Sequence, residues 1–177
     1  MAYDEKRNIH TMSFPEEEVK LVKTMLDEMG TTLEFFYYLM NNKRESSTMM
    51  ILLSADDVNL EHLLPKWKRN TDVLFELDRK RNVYVILCQS TNKEGVKQFA
   101  ETLIANIRLH SAGDIYCVVS ESKTTSSSSQ EVIFKMVERY IKIKDAGHAN
   151  KVFFTDLKNT EEADVIYNGS PAHYRTH

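Results

Sequence analysis

The chain has 177 residues, of which 42% are hydrophobic and 28% charged, with a formal net charge of −3. That length suits one domain with an appended element, and the apolar share is enough for a real core. The slightly acidic balance argues against a general nucleic-acid role, because phosphate binding needs a basic surface, and no apolar run approaches the ~20 residues of a membrane span.

Residues 1–12 are polar and charged, which predicts a disordered N-terminus and no secretory signal, hence a cytoplasmic protein. A helical segment is expected over 13–44. Ser13 suits its cap and Pro15 its first turn, while Glu16, Glu17 and Glu18 favour its positive end. Val19, Val22, Leu26, Met29, Leu33, Phe36 and Met40 alternate steps of three and four, the pattern of a core-facing helix or of a short dimeric coiled coil. Gly30-Thr31-Thr32 interrupts that pattern and predicts two helices or one bent one.

Met49–Leu53 reads as a short apolar strand and Leu60–Trp67 as a short helix. Thr71–Leu77 and Asn82–Cys88 read as antiparallel strands joined by a tight charged turn. Val96, Phe99, Ala100, Leu103, Ile104 and Ile107 mark an amphipathic helix, followed by a strand over Asp114–Ser120. Lys123–Ser129 is a polar loop in which Ser128 and Glu131 make a capping box for a helix carrying Val132, Met136, Val137, Tyr140 and Ile141, with Gly147 at its end. Lys151–Leu157 is the last clear strand. Residues 158–177 form a polar tail with Val165-Ile166-Tyr167 as a candidate edge strand. Cys88 and Cys117 fall in strands and are expected to be buried thiols, and the histidines show no metal-ligand spacing. The order helix, β, α, β-hairpin, α, β, α, β fits an α/β sandwich of ferredoxin-like or palm type, with a mixed sheet, flanking helices and an N-terminal helical extension.

Arg69-Asn70-Thr71-Asp72, then Val73-Leu74-Phe75-Glu76-Leu77 and a tight turn, then Ser90-Thr91 and Glu94-Gly95-Val96, resemble the GGDEF domain of bacterial diguanylate cyclases. Lys144 and Val152-Phe153-Phe154 resemble that family's closing helix and strand. The resemblance spans about Leu33 to Leu157 and places the GGDEF-like domain at 45–157. It implies that Arg69 and Asp72 form an R-x-x-D site for cyclic di-GMP. The chemistry suits that ligand: a guanidinium fork bonds guanine O6 and N7, and a carboxylate accepts from the N1 and N2 hydrogens. A surface ion pair or a cap at the strand start would use the same two residues. Lys66, Arg79 and Arg81 are nearby basic candidates, and Trp67 is either a base-stacking ring or core.

The resemblance does not extend to catalysis. Cyclisation needs glycines where backbone meets phosphate and carboxylates that hold Mg²⁺. Counted from Asp72 the family's five signature positions fall on Asp78-Arg79-Lys80-Arg81-Asn82, and counted back from Tyr84-Val85-Ile86-Leu87 they fall one residue later. The metal-binding acid positions fall on Lys80 and Arg81, or on Arg81 and Asn82, so neither register restores the site. The family's metal motif at the end of the first strand here reads Ser54-Ala55-Asp56-Asp57-Val58, and Met29-Gly30-Thr31-Thr32-Leu33 replaces its entry motif. The expectation is therefore a non-enzymatic GGDEF-like receptor for cyclic di-GMP, needing no cofactor and passing its state to a protein partner or a homodimer mate through the N-terminal helices. A scaffold that binds proteins without a nucleotide is the alternative.

Overall fold

In the computed structural model, residues 16–43, 47–123 and 128–155 are described. Five strands make one mixed sheet: β1 (Thr48–Ala55), β2 (Val73–Asp78), β3 (Val83–Cys88), β4 (Ile115–Ser122) and β5 (Lys151–Thr155), in the spatial order β2-β3-β1-β4-β5. β1 pairs antiparallel with β3 and β4, β2 pairs antiparallel with β3, and β5 lies parallel to β4. Every residue of the central strand β1 is buried. A strand covered on both faces shows a continuous apolar run, which is why Met49–Leu53 has no polar alternation.

Among the described residues four helices cover the sheet: α1 (Glu16–Lys43), α2 (Leu60–Trp67), α3 (Lys93–His110) and α4 (Ser129–Asp145). Successive strand residues point to opposite faces, so the sheet supports two cores. Met50, Leu52, Val85, Leu87, Val118 and Phe153 pack with α1 and α4. Met49, Ile51, Leu53, Ile86, Cys117 and Val119 pack with α2 and α3. This is the mixed α/β sandwich the element order predicts. The strands run a residue or two beyond the apolar runs that mark them, as at Thr48 and Ala55, because backbone pairing with neighbours continues where the side chains turn polar or small.

α1 is one unbroken helix through Gly30-Thr31-Thr32, so the alternative of two separate helices does not hold. A helical glycine costs ~1 kcal/mol relative to alanine. Burial of Met29 and Leu33 on either side, each 0% exposed, contributes ~1.5–3 kcal/mol per side chain and outweighs that loss. The three-four stripe is spent inside the domain: Val22, Met29, Leu33, Phe36 and Met40 are buried, whereas Val19 at its start is 51% exposed. A coiled coil along the same stripe would have to expose that core.

Local signals set the other helix ends. Asn92 Oδ1 accepts from Gly95 N at 2.7 Å, and Ser128 Oγ accepts from Glu131 N at 3.1 Å. Gly147 follows α4 with φ +70, a conformation that glycine adopts without strain, and its N–H donates to Lys144 O. Cys88 and Cys117 are free, buried thiols on β3 and β4, with β1 between them. The N-terminus through Pro15, with the Ser13 cap, and residues 158–177, with Val165–Tyr167, lie outside the described residues.

Candidate functional site

The hairpin of β2 and β3 carries the residues singled out above. Glu76 faces Tyr84, yet Asp78 faces Val83, so one extra residue is absorbed as a bulge within β2. That bulge is why counting the tip from either flanking strand gives registers one residue apart. The tip itself is Arg79-Lys80-Arg81-Asn82. Asn82 takes a left-handed backbone, φ 57, which asparagine tolerates better than most residues. Its amide donates to Ala55 O at 2.8 Å and Val58 O at 2.7 Å, tying the tip to the loop between β1 and α2.

The bases of the tip divide between the two faces of the sheet. Arg79 donates to Glu76 at 3.1 Å and to Glu61 of α2 at 3.2 Å, and these carboxylates hold its guanidinium above its ordinary pKa, the Glu76 hydrogen bond contributing most. Arg81 pairs with Glu17 in the first turn of α1 at 2.6 Å and, through Nε, with Asp78 at 3.8 Å. Glu17 also accepts from Lys144 Nζ at 3.1 Å, so one carboxylate links α1, the tip and α4. Tyr84 donates to Glu76, and burial together with that bond pushes its hydroxyl pKa up to about 12.

Two clefts flank the tip. One, of about 780 Å³, lies against the β1–α2 loop and includes Asp56, Asp57 and Glu61 in its walls. Asp56 is held through its backbone: its N–H donates to Asp114 O at 3.1 Å and its carbonyl accepts from Ser111 Oγ at 2.8 Å. The approach is so close that a Cβ on Gly113 would sit 2.7 Å from Asp56 O. The Asp56 side chain is left exposed, while Ser54 is buried and accepts from the Tyr140 hydroxyl at 2.7 Å. The second cleft, of about 490 Å³, lies between the tip and the first turns of α1.

Arg69 and Asp72 meet at the opposite, open end of the hairpin, and they meet each other. Asp72 Oδ2 accepts from Arg69 N at 2.9 Å, and Oδ1 accepts from Nε at 3.1 Å and from Nη2 at 2.8 Å. Nη2 also donates to Gln89 O at 3.0 Å, while Gln89 Nε2 donates back to Thr71 O at 3.0 Å. Lys68 Nζ adds a bond to Asp72 O at 3.1 Å. The Asp72 side chain is 0% exposed and that of Arg69 is 46% exposed. The hydrogen bonds that the guanidinium donates to Asp72, ahead of the charge of that carboxylate, hold it above its usual pKa. The pair thus clasps the α2–β2 turn to the end of β3. The buried Cys88 thiol also interacts with this guanidinium.

This geometry separates what the sequence had grouped. The length of β2, ~17 Å at the usual rise per residue, lies between Arg69 and the tip, so Arg79 and Arg81 do not join Arg69 around one small ligand. Trp67 packs against the α2–α3 core and the His110 ring, 5.8 Å between centroids. Gln89, Asn82 and Glu17 carry contacts that no motif signals; Glu17 and Lys144 are 127 positions apart. Arg79, Lys80 and Arg81 bring positive charge to the tip, beside the acids of the adjoining cleft. Among the described residues, no cluster of three or more His, Cys, Asp or Glu side chains is arranged to hold a metal.

No protein-family model and no curated protein matches the chain. Solved structures do. The active GGEEF domain of a diguanylate cyclase from Vibrio cholerae superposes with a TM-score of 0.55 at 10% identity, over 68% of this chain and 90% of that one. The diguanylate cyclase SiaD of Pseudomonas aeruginosa, solved with its activator SiaC, gives 0.58 at 12% identity, over 70% of this chain and 55% of that one. The GGDEF domain of DgcB from Caulobacter crescentus, in complex with c-di-GMP, gives 0.56 at 9% identity, over 68% and 82%. The chain has the fold of GGDEF diguanylate cyclase domains at low sequence identity. No helix among the described residues is long and apolar enough to cross a membrane.

Proposed function

We propose that the chain is a catalytically silent domain of the GGDEF fold that acts in the bacterial cytoplasm as a protein-interaction module. The observation that carries this reading is the hairpin tip. Arg79 and Arg81 stand where a cyclase presents glycines and acids, and each is bound into ion pairs with acids of its own chain. Charge of that sign repels Mg²⁺ instead of gathering it, and the Asn82 clasp closes the backbone that would have to approach phosphate. The diguanylate cyclase SiaD, 55% of which is matched by this chain, has been solved in complex with its activator SiaC, so one protein that contains this fold works with a partner. Incubation with GTP and Mg²⁺ or Mn²⁺, followed by chromatography, tests the negative half. Unchanged GTP is expected, and a cyclised product that disappears in Asp56→Ala would overturn the reading.

A second reading, a cyclic di-GMP receptor at Arg69 and Asp72, is favoured by the half-exposed side chain of Arg69. The buried Asp72 carboxylate sets its cost. To read a guanine edge it must release Arg69 and turn outward, so the ligand has to supply bonds equal to those it breaks. Calorimetry with cyclic di-GMP decides this. Binding weaker than millimolar, or equal binding by Arg69→Ala, removes the receptor reading and leaves the interaction module.

A further inference from the structure

The cleft between α1 and the hairpin tip carries a charge opposite in sign to the chain as a whole. Its walls bring Lys20, Lys80 and Arg81 against two acidic side chains, Glu17 and Asp78, in a protein of net charge −3, while Arg79 lines it with its guanidinium turned to Glu76 and Glu61. The arginines are paired within the chain. Lys20 and Lys80 are exposed, and neither ammonium has a side-chain partner among the described residues. Beneath this rim lie apolar or aromatic groups, Leu21, Leu77, Val83 and Tyr140, so the floor and the rim differ in kind.

We propose that this cleft docks a short acidic segment of a partner protein, its carboxylates on Lys20 and Lys80 and a small apolar side chain on the floor. The proposal rests on the interaction-module reading and deepens it. A free phosphate would satisfy the lysines and leave the apolar floor unused; a peptide uses both. From Glu17 to Thr24 the cleft follows α1 for ~10 Å at the helical rise, room for about three residues of extended chain. The chain also contains an internal copy of the contact: Glu17 already places a carboxylate between Arg81 and Lys144 at the same rim. Two exposed lysines give modest affinity that weakens as salt screens them.

The test uses a fluorescein-labelled hexapeptide of alternating glutamate and leucine, followed by anisotropy and by amide shifts in a nitrogen-15 spectrum. Expected are saturable binding below about millimolar, shifts within residues 17–24 and 77–83, and a loss of about tenfold or more in Lys20→Glu/Lys80→Glu. Circular dichroism checks that this variant, altered only at exposed positions, stays folded. The proposal fails if no binding is seen below millimolar, if the charge-reversed variant binds equally, or if shifts map elsewhere. It also fails if serine in place of leucine changes nothing, or if inorganic phosphate at matched ionic strength displaces the peptide, since either result makes the cleft a plain anion site. GTP turnover on the same preparation separates the two levels: a cyclised product sinks the module reading itself, whereas unreacted GTP with no peptide binding sinks only the cleft.

Discussion

Arg69→Ala removes the exposed half of a pair whose other half is sealed from water. Asp72 then keeps the bond from the backbone N–H of position 69 and loses those from Nε and Nη2. Stranding a charge by breaking a fully buried pair costs ~3–5 kcal/mol. Arg69 is 46% exposed, so water already screens the pair and the figure falls to ~2 kcal/mol. Asp72→Asn keeps an acceptor and strands no charge, and should cost ~1 kcal/mol. The double variant should cost less than the sum, because without the carboxylate no buried charge remains to be stranded. Urea unfolding followed by Trp67 fluorescence reads this directly, since Trp67 is the sole tryptophan and stands two residues before Arg69. With a slope of ~2 kcal/mol per molar urea, the Arg69→Ala midpoint should drop by ~1 M. A drop below ~0.25 M, or strictly additive variants, would refute the clasp and return Arg69 to a surface residue free for ligand.

Along α1, Met29→Ala should cost ~2–5 kcal/mol and Val19→Ala under ~0.5 kcal/mol, because only the former leaves a cavity; similar losses at both positions would mean that the stripe packs against another chain. Tyr140→Phe should cost ~1–2 kcal/mol, since it leaves the buried Ser54 hydroxyl without its donor, and thermal unfolding that matches wild type would contradict the bond. Burial pushes Cys88, Cys117, Tyr84 and Tyr140 up to about 12. Above the ordinary thiol value of ~8.5 the unfolded chain therefore sheds protons that the folded chain keeps, and stability must fall as pH rises through that range. Urea midpoints in reducing buffer should be lower at pH 10.5 than at pH 8, and a flat or rising profile would contradict the burial of these groups.

Periodicity and capping alone marked nearly every element. The apolar run Met49–Leu53 announced a strand, Ser128 and Glu131 placed the start of α4, and Gly147 its end. These signals are local, carried by residues within one turn or one pleat of each other, so they survive without a fold. Charge sign at the hairpin tip is equally local, which is why its run of bases was visible in the bare chain. What Arg69 and Asp72 do was not visible: the motif is the same whether the carboxylate faces a ligand or its own arginine, and only the packing of the α2–β2 turn against Gln89 turns it inward. The continuity of α1 past Gly30, the single copy its stripe packs against, and the meeting of Glu17 with Arg81 and Lys144 also waited on tertiary structure, because each depends on burial or on contacts between residues far apart in the chain.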